Sequence, residues 1–88
     1  RRLKLVWDDS ALDDLAECAL WSVPQARRVV DAMDRMARIG WSLGRTSPLF
    51  GPEFRYWPVP PLGIVYELRG EELHIVRVVD VRRLQSPP

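Results

Sequence analysis

The 88-residue chain has a single cysteine, Cys18, and a single histidine, His74. One cysteine excludes an internal disulfide and a two-cysteine metal site. One histidine excludes a histidine-rich zinc site, and any Ser-His-Asp or Cys-His mechanism would have to run through His74. Charge of either sign is barely in excess: 13 basic residues face 12 acidic ones, for a net charge of +1. That balance excludes a uniformly basic nucleic-acid wrapper, although a local basic patch stays open. No apolar run approaches the roughly 18–20 residues of a membrane span, and no signal-peptide pattern is visible. The expectation is a cytoplasmic protein with no membrane association, no cofactor and no metal. What is plentiful is apolar surface, at 47% hydrophobic residues including four tryptophans. That suits one globular core, and a chain this short holds a single domain, 1–88.

Leu3, Leu5 and Trp7 alternate with Lys4 and Val6, which predicts a short strand. Ser10 followed by Asp13 resembles a capping box, and acidic side chains suit a helix start. Leu12, Leu15, Ala16, Ala19 and Leu20 then space out one apolar stripe of a first helix. Ser22-Val23-Pro24-Gln25 breaks it and starts a second, with Ser22 and Gln25 placed to cap each other. Ala26, Val29, Val30, Met33, Met36 and Ala37 form the second stripe, and Gly40 is a natural stop. So short a connection predicts an antiparallel helical hairpin.

Residues Trp41–Pro52 read as loop. Phe54–Val59 reads as a strand whose prolines confine its end to an edge or a turn. Ile64–Leu68 and Leu73–Val81 are clearer strands, joined by a tight turn at Arg69-Gly70-Glu71. The segment 84–88 ends in two prolines and is expected to be a flexible tail. The order β-α-α-β-β-β predicts an α+β two-layer fold, with the helical hairpin on one face of a small, mostly antiparallel twisted sheet. The other face would then be open. With strict alternation, Val76 and Val78 lie opposite Ile75 and Val79 and offer an apolar patch to a partner or a second copy.

This order, with the residues that fill it, resembles the RelE/ParE superfamily of bacterial toxins. The resemblance rests on Val6-Trp7 leading into Ala11–Ala16, on Ala26–Asp31, on Arg55-Tyr-Trp-Pro-Val59, on Ile64-Val-Tyr-Glu-Leu68 and on His74–Arg83. It spans residues 3–84, and the hairpin from Ile64 to Arg83 is its most specific part. It implies the growth-inhibiting toxin of a type II toxin–antitoxin module, of the kind tied to plasmid stabilisation, held in a hetero-oligomer with a cognate antitoxin. RelE-like members cut messenger RNA on the ribosome; ParE-like members inhibit DNA gyrase.

RNA cleavage needs cations on the phosphate and a group to handle the 2′-OH proton. The resemblance carries Arg55 and Arg82 onto two basic positions of the nuclease branch. It places Trp57 where a second basic strand residue stands, Gly63 where an arginine precedes the Leu-Val-Tyr run, and Pro87-Pro88 where a C-terminal tyrosine is expected. These departures favour the ParE-like branch, without catalysis. If the chain were the nuclease, Arg55, Arg77 and Arg82 would carry it. A homologue that has lost toxicity and serves as a binding or regulatory protein is a further alternative. Arg55, Arg82 and Arg83 are the candidate target-binding residues, and Trp21, Trp41, Val76 and Val78 the candidate antitoxin-binding ones. Each has a plainer reading as well. Arg55 can anchor its strand to a carboxylate such as Glu53 or Asp80. Arg77, inside an apolar strand, calls for an open face or a carboxylate partner. The tryptophans can be core, Tyr66 packing, His74 a half-exposed strand residue and Cys18 a small buried one.

Overall fold

The computed structural model describes residues 2–40, 45–47, 51–80 and 82. Strand β1 (Lys4–Trp7) leads into helices α1 (Asp9–Trp21) and α2 (Val23–Ile39). Strands β2 (Arg45–Ser47), β3 (Gly51–Val59), β4 (Leu62–Arg69) and β5 (Glu72–Asp80) follow. The sheet runs β1-β5-β4-β3-β2. β1 is parallel to β5, and every other pair is antiparallel. The predicted α+β architecture is thus present, with one strand more than expected. Trp41–Pro52 reads as loop because Pro48, Gly51 and Pro52 crowd its last five residues; Arg45–Ser47 nevertheless pairs with β3, with Thr46↔Arg55 and Arg45↔Tyr56 in register. A three-residue edge strand takes its conformation from its neighbour, not from its own propensity. No helix among the described residues is long and apolar enough to cross a membrane.

Ser22 serves both helices. Its N–H donates to Cys18 O at 2.8 Å, ending α1, and its Oγ accepts from Gln25 N at 3.2 Å, starting α2. The reciprocal half of the expected cap does not form. Gln25 is buried, and its Nε2 donates instead to Val59 O (3.0 Å) and Pro60 O (3.2 Å), tying α2 to the β3–β4 turn. Gly40 closes α2 at φ 83°, a left-handed conformation that glycine adopts without a Cβ penalty. All but one of the α2 stripe pack as their spacing predicts: Ala26, Val29, Met33, Met36 and Ala37 are buried against Leu62, Ile64, Tyr66, Leu73, Ile75 and Val78, while Val30 is only half-buried.

The α1 stripe is turned. Ala11 and Cys18 are buried, Leu15 and Ala19 pack at the margin, and Leu12, Ala16 and Leu20 are exposed. Small residues let α1 lie close on β5, and Leu12 and Leu20 fall on the far side. The capping box is also absent: the N-cap is Asp8, two residues before Ser10, and Ser10 Oγ donates to Val76 O at 2.7 Å across the molecule.

A β-bulge corrects the expected faces of β5. Val65 pairs with Arg77 but the next residue, Tyr66, pairs with Ile75, so Val76 is the extra residue. One inserted residue shifts the alternation, and Val78 joins Ile75 on the helix-facing side at 6% exposure. Val76 and Val78 therefore do not form an exposed apolar pair. The opposite face is not simply open either. Gly63 and Val65 are buried there, with the Tyr56 ring lying against Gly63.

Candidate functional site

β1 pairs with β5 only as far as Ile75, so residues 76–80 of β5 continue without a strand on their outer side. An unpaired edge is a liability, and α1 closes its first part. Ser10 takes Val76 O, and Asp14 Oδ2 accepts from Val78 N at 2.9 Å. Asp14 also holds Arg77, with Nε at 2.7 Å from Oδ2 and Nη2 at 3.1 Å from Oδ1. The carboxylate raises the Arg77 pKa, first through the hydrogen bond and then through charge attraction. Arg77 thus has the carboxylate partner that its place in an apolar strand requires. Below it lies a groove of about 200 Å³ between α1 and the β5 edge, lined by Glu17, Cys18, Trp21 and Leu62 among others. Burial raises the Cys18 thiol pKa, which keeps it protonated.

Arg82 repeats the arrangement one turn of chain later. Its Nη2 and Nε reach the Asp80 carboxylate at 2.8 and 3.1 Å, and its N–H donates to Asp80 Oδ1 at 3.0 Å. Asp80 raises the Arg82 pKa through these bonds first. The Arg82 side chain is solvent-facing at 66% exposure while Asp80 is largely covered, so solvent screening weakens the pair.

Arg55 is half-buried in β3, flanked by Thr46 on β2 and Tyr66 on β4. Trp57 packs against the core. Gly63 has no room for an arginine: a Cβ built there would meet the Tyr56 ring. Tyr56 itself is half-buried, and desolvation raises its pKa. Tyr66 is fully buried, as a packing residue would be. So the structure brings Arg55, Trp57 and Tyr66 to one side of the sheet and Gly63 and Tyr56 to the other, with Arg77 and Arg82 along the β5 edge. Trp21 is exposed at the end of α1, beside the groove. Trp41 and Arg83 lie outside the described residues.

The Asp14–Arg77 pair invites a direct test. Asp14→Ala removes a charged hydrogen-bond acceptor from both Arg77 and Val78 N and is expected to cost about 2 kcal/mol in urea unfolding. Arg77→Ala leaves the Val78 bond intact and removes only a half-exposed partner, for about 0.5 kcal/mol. Equal costs would show that the backbone bond to Asp14 contributes nothing.

His74 is more enclosed than expected, its side chain 12% exposed. Nε2 lies 2.8 Å from Glu72 Oε1, and Nδ1 lies 3.4 Å from Arg69 Nη1 and 3.8 Å from Asp8 Oδ1. The hydrogen bond from His74 is the largest cause that lowers the Glu72 pKa. A carboxylate lowered in the folded state stabilises the fold above the ordinary carboxylate range, and that contribution is lost as pH falls through the lowered value. An NMR titration should find Glu72 below ordinary glutamates, and His74→Ala should return it to their range.

No family model matches the chain, and no curated protein matches its sequence. Solved structures do match. A copper-bound mutant of a toxin from Helicobacter pylori superposes with a TM-score of 0.64 at 19% identity, over 93% of this chain and 98% of that one. The chain has the fold of that toxin. A conserved hypothetical protein from the same organism superposes with a TM-score of 0.51 at 22% identity, over 86% of this chain and 91% of that one. The first match covers 93% of this chain, so the shared fold takes in the helical hairpin and the sheet together.

Proposed function

We propose that the chain is the toxin of a type II toxin–antitoxin module, ParE-like in acting by binding DNA gyrase rather than by cutting RNA. The toxin-like fold and the resemblance of the Ile64–Arg83 hairpin support the first half. One observation supports the second: two of the three cations that a nuclease would use are paired with carboxylates, Arg77 with Asp14 and Arg82 with Asp80. A phosphate-cleaving site needs cations aimed at the position where charge develops. Around them, the missing basic positions are filled by packing. Trp57 is half-buried against the core and Gly63 lies under Tyr56. Arg55, Arg82 and Arg83 are assigned to contact with a protein target, Arg82 from within its pair with Asp80, where its side chain stays 66% exposed, and a cognate antitoxin holds the toxin in a hetero-oligomer.

Inducing the chain alone in bacteria should stop growth, and co-induction with the adjacent small gene should restore it. The purified chain should inhibit supercoiling by gyrase while translated messages stay intact. Absence of arrest would sink the toxin assignment. Arrest with rapid cleavage of translated messages would move it to the nuclease branch.

A further inference from the structure

The two helices of the hairpin carry charge in opposite ways. α2 spaces opposite charges four residues apart, Arg27 and Asp31, Asp31 and Arg35, Asp34 and Arg38, the pattern of a solvated face, although none of these pairs is within ion-pair distance. α1 contains Asp9, Asp13, Asp14 and Glu17 and no basic residue. Asp14 is spent on Arg77. Among the described residues, none of Asp9, Asp13 and Glu17 has a basic side chain in ion-pair range. They form one i,i+4 row of like charge, which opposes helix formation. Beside it runs a second row, Leu12, Ala16 and Leu20, and both rows face solvent. Leu20 is 88% exposed, and Val23, at the start of α2, is 56% exposed. An acidic row against an apolar row is costly for a helix that meets only water.

We infer that the outer face of α1 is the docking site for a basic amphipathic helix of a partner protein. The partner's apolar anchors cover Leu12, Leu20 and Val23, and its lysines or arginines pair with Asp9, Asp13 and Glu17. Charge selects this occupant. Nucleic acid and anionic membrane are repelled by the acidic row. Two copies of α1 cannot meet face to face, because their acidic rows would oppose each other. α1 against the basic α2 of another copy is a heterologous contact, which propagates unless its rotation closes a ring. A strand added at the β5 edge is disfavoured as well, since Ser10 and Asp14 already occupy Val76 O and Val78 N. The inference stands on the α1 surface and does not require the toxin assignment.

The test titrates the isotopically labelled full chain with two synthetic amphipathic peptides of equal length and identical leucine faces. One has lysine on its polar face, the other glutamate. The lysine peptide should shift amide signals of α1 and Val23, and its affinity should fall at least about tenfold between about 50 and about 300 mM salt. The glutamate peptide should not bind. Asp13→Lys with Glu17→Lys should reverse the preference, and Leu20→Ser should weaken either complex by about tenfold. These positions are exposed, so the variants should keep the native spectrum; Asp13→Asn with Glu17→Gln, which abolishes the preference without reversing it, is the milder pair. Equal binding of both peptides, shifts confined to other elements, no binding, or self-association through α1 would each overturn the inference. Growth arrest plays no part in this readout, so the toxin assignment can fail while the docking face stands, and the reverse.

Discussion

Tyr66→Ala should remove about 4 kcal/mol of folding stability and lower the melting temperature by roughly 15–30 °C. Tyr66 is fully enclosed, on the central strand β4, between Arg55 of β3 and Ile75 of β5. Its ring faces the core that Val29, Met33 and Met36 of α2 complete. Truncation leaves a cavity that the sheet, fixed by pairing on both sides, cannot close. A chain of this size has only about 5–15 kcal/mol of stability in total, so the variant should be partly unfolded at growth temperature. Tyr66→Phe separates this from a chemical role. It keeps the ring and should cost about 1 kcal/mol or less in urea unfolding. Growth arrest should survive in the phenylalanine variant and be lost in the alanine variant with the fold. Loss of arrest in a fully folded phenylalanine variant would mean that the hydroxyl acts in the toxic activity.

The buried half of α2 could be read from residue spacing, because one continuous stripe of branched and sulfur-containing side chains meets one sheet face. The α1 stripe could not. Its leucines outweigh Ala11 and Cys18 in any hydrophobic pattern, yet close approach to β5 favours the small residues, and Leu12 and Leu20 go outward while Leu15 stays at the margin. That reversal is also what creates the proposed docking face. In β5 the error has a different source. Leu73 to Val81 carries His74 and Arg77 three residues apart, which strict alternation would put on opposite faces, but the spacing does not say which residue is extra, and the bulge at Val76 is located only by the pairing with β4. The need of Arg77 for a carboxylate was legible, because an unpaired charge in such a strand is too costly. Its partner, Asp14, was not, since it lies 63 residues away. The short strand at Arg45–Ser47 exists only by pairing, and nothing local announces it.

Gly63→Ala is expected to cost about 2 kcal/mol, an unusually large effect for adding one methyl group. The new Cβ would overlap the Tyr56 ring, at its hydroxyl end. Gly63 sits on β4 opposite Pro58 and Val79, so the backbone cannot retreat without breaking two strand pairings. The adjustment therefore falls on Tyr56, which must swing away and uncover Val65 beside it. Tyr56→Ala alone should be mildly destabilising, because the ring is only half-buried. In the double variant the clash is gone, and the alanine at 63 should cost about 0.5 kcal/mol or less. Urea unfolding of the four proteins would then give a coupling of at least about 1 kcal/mol. Additive costs would mean that the ring moves aside freely. Gly63 would then be accessible to an arginine, and the main packing objection to a nuclease site on this face would fall.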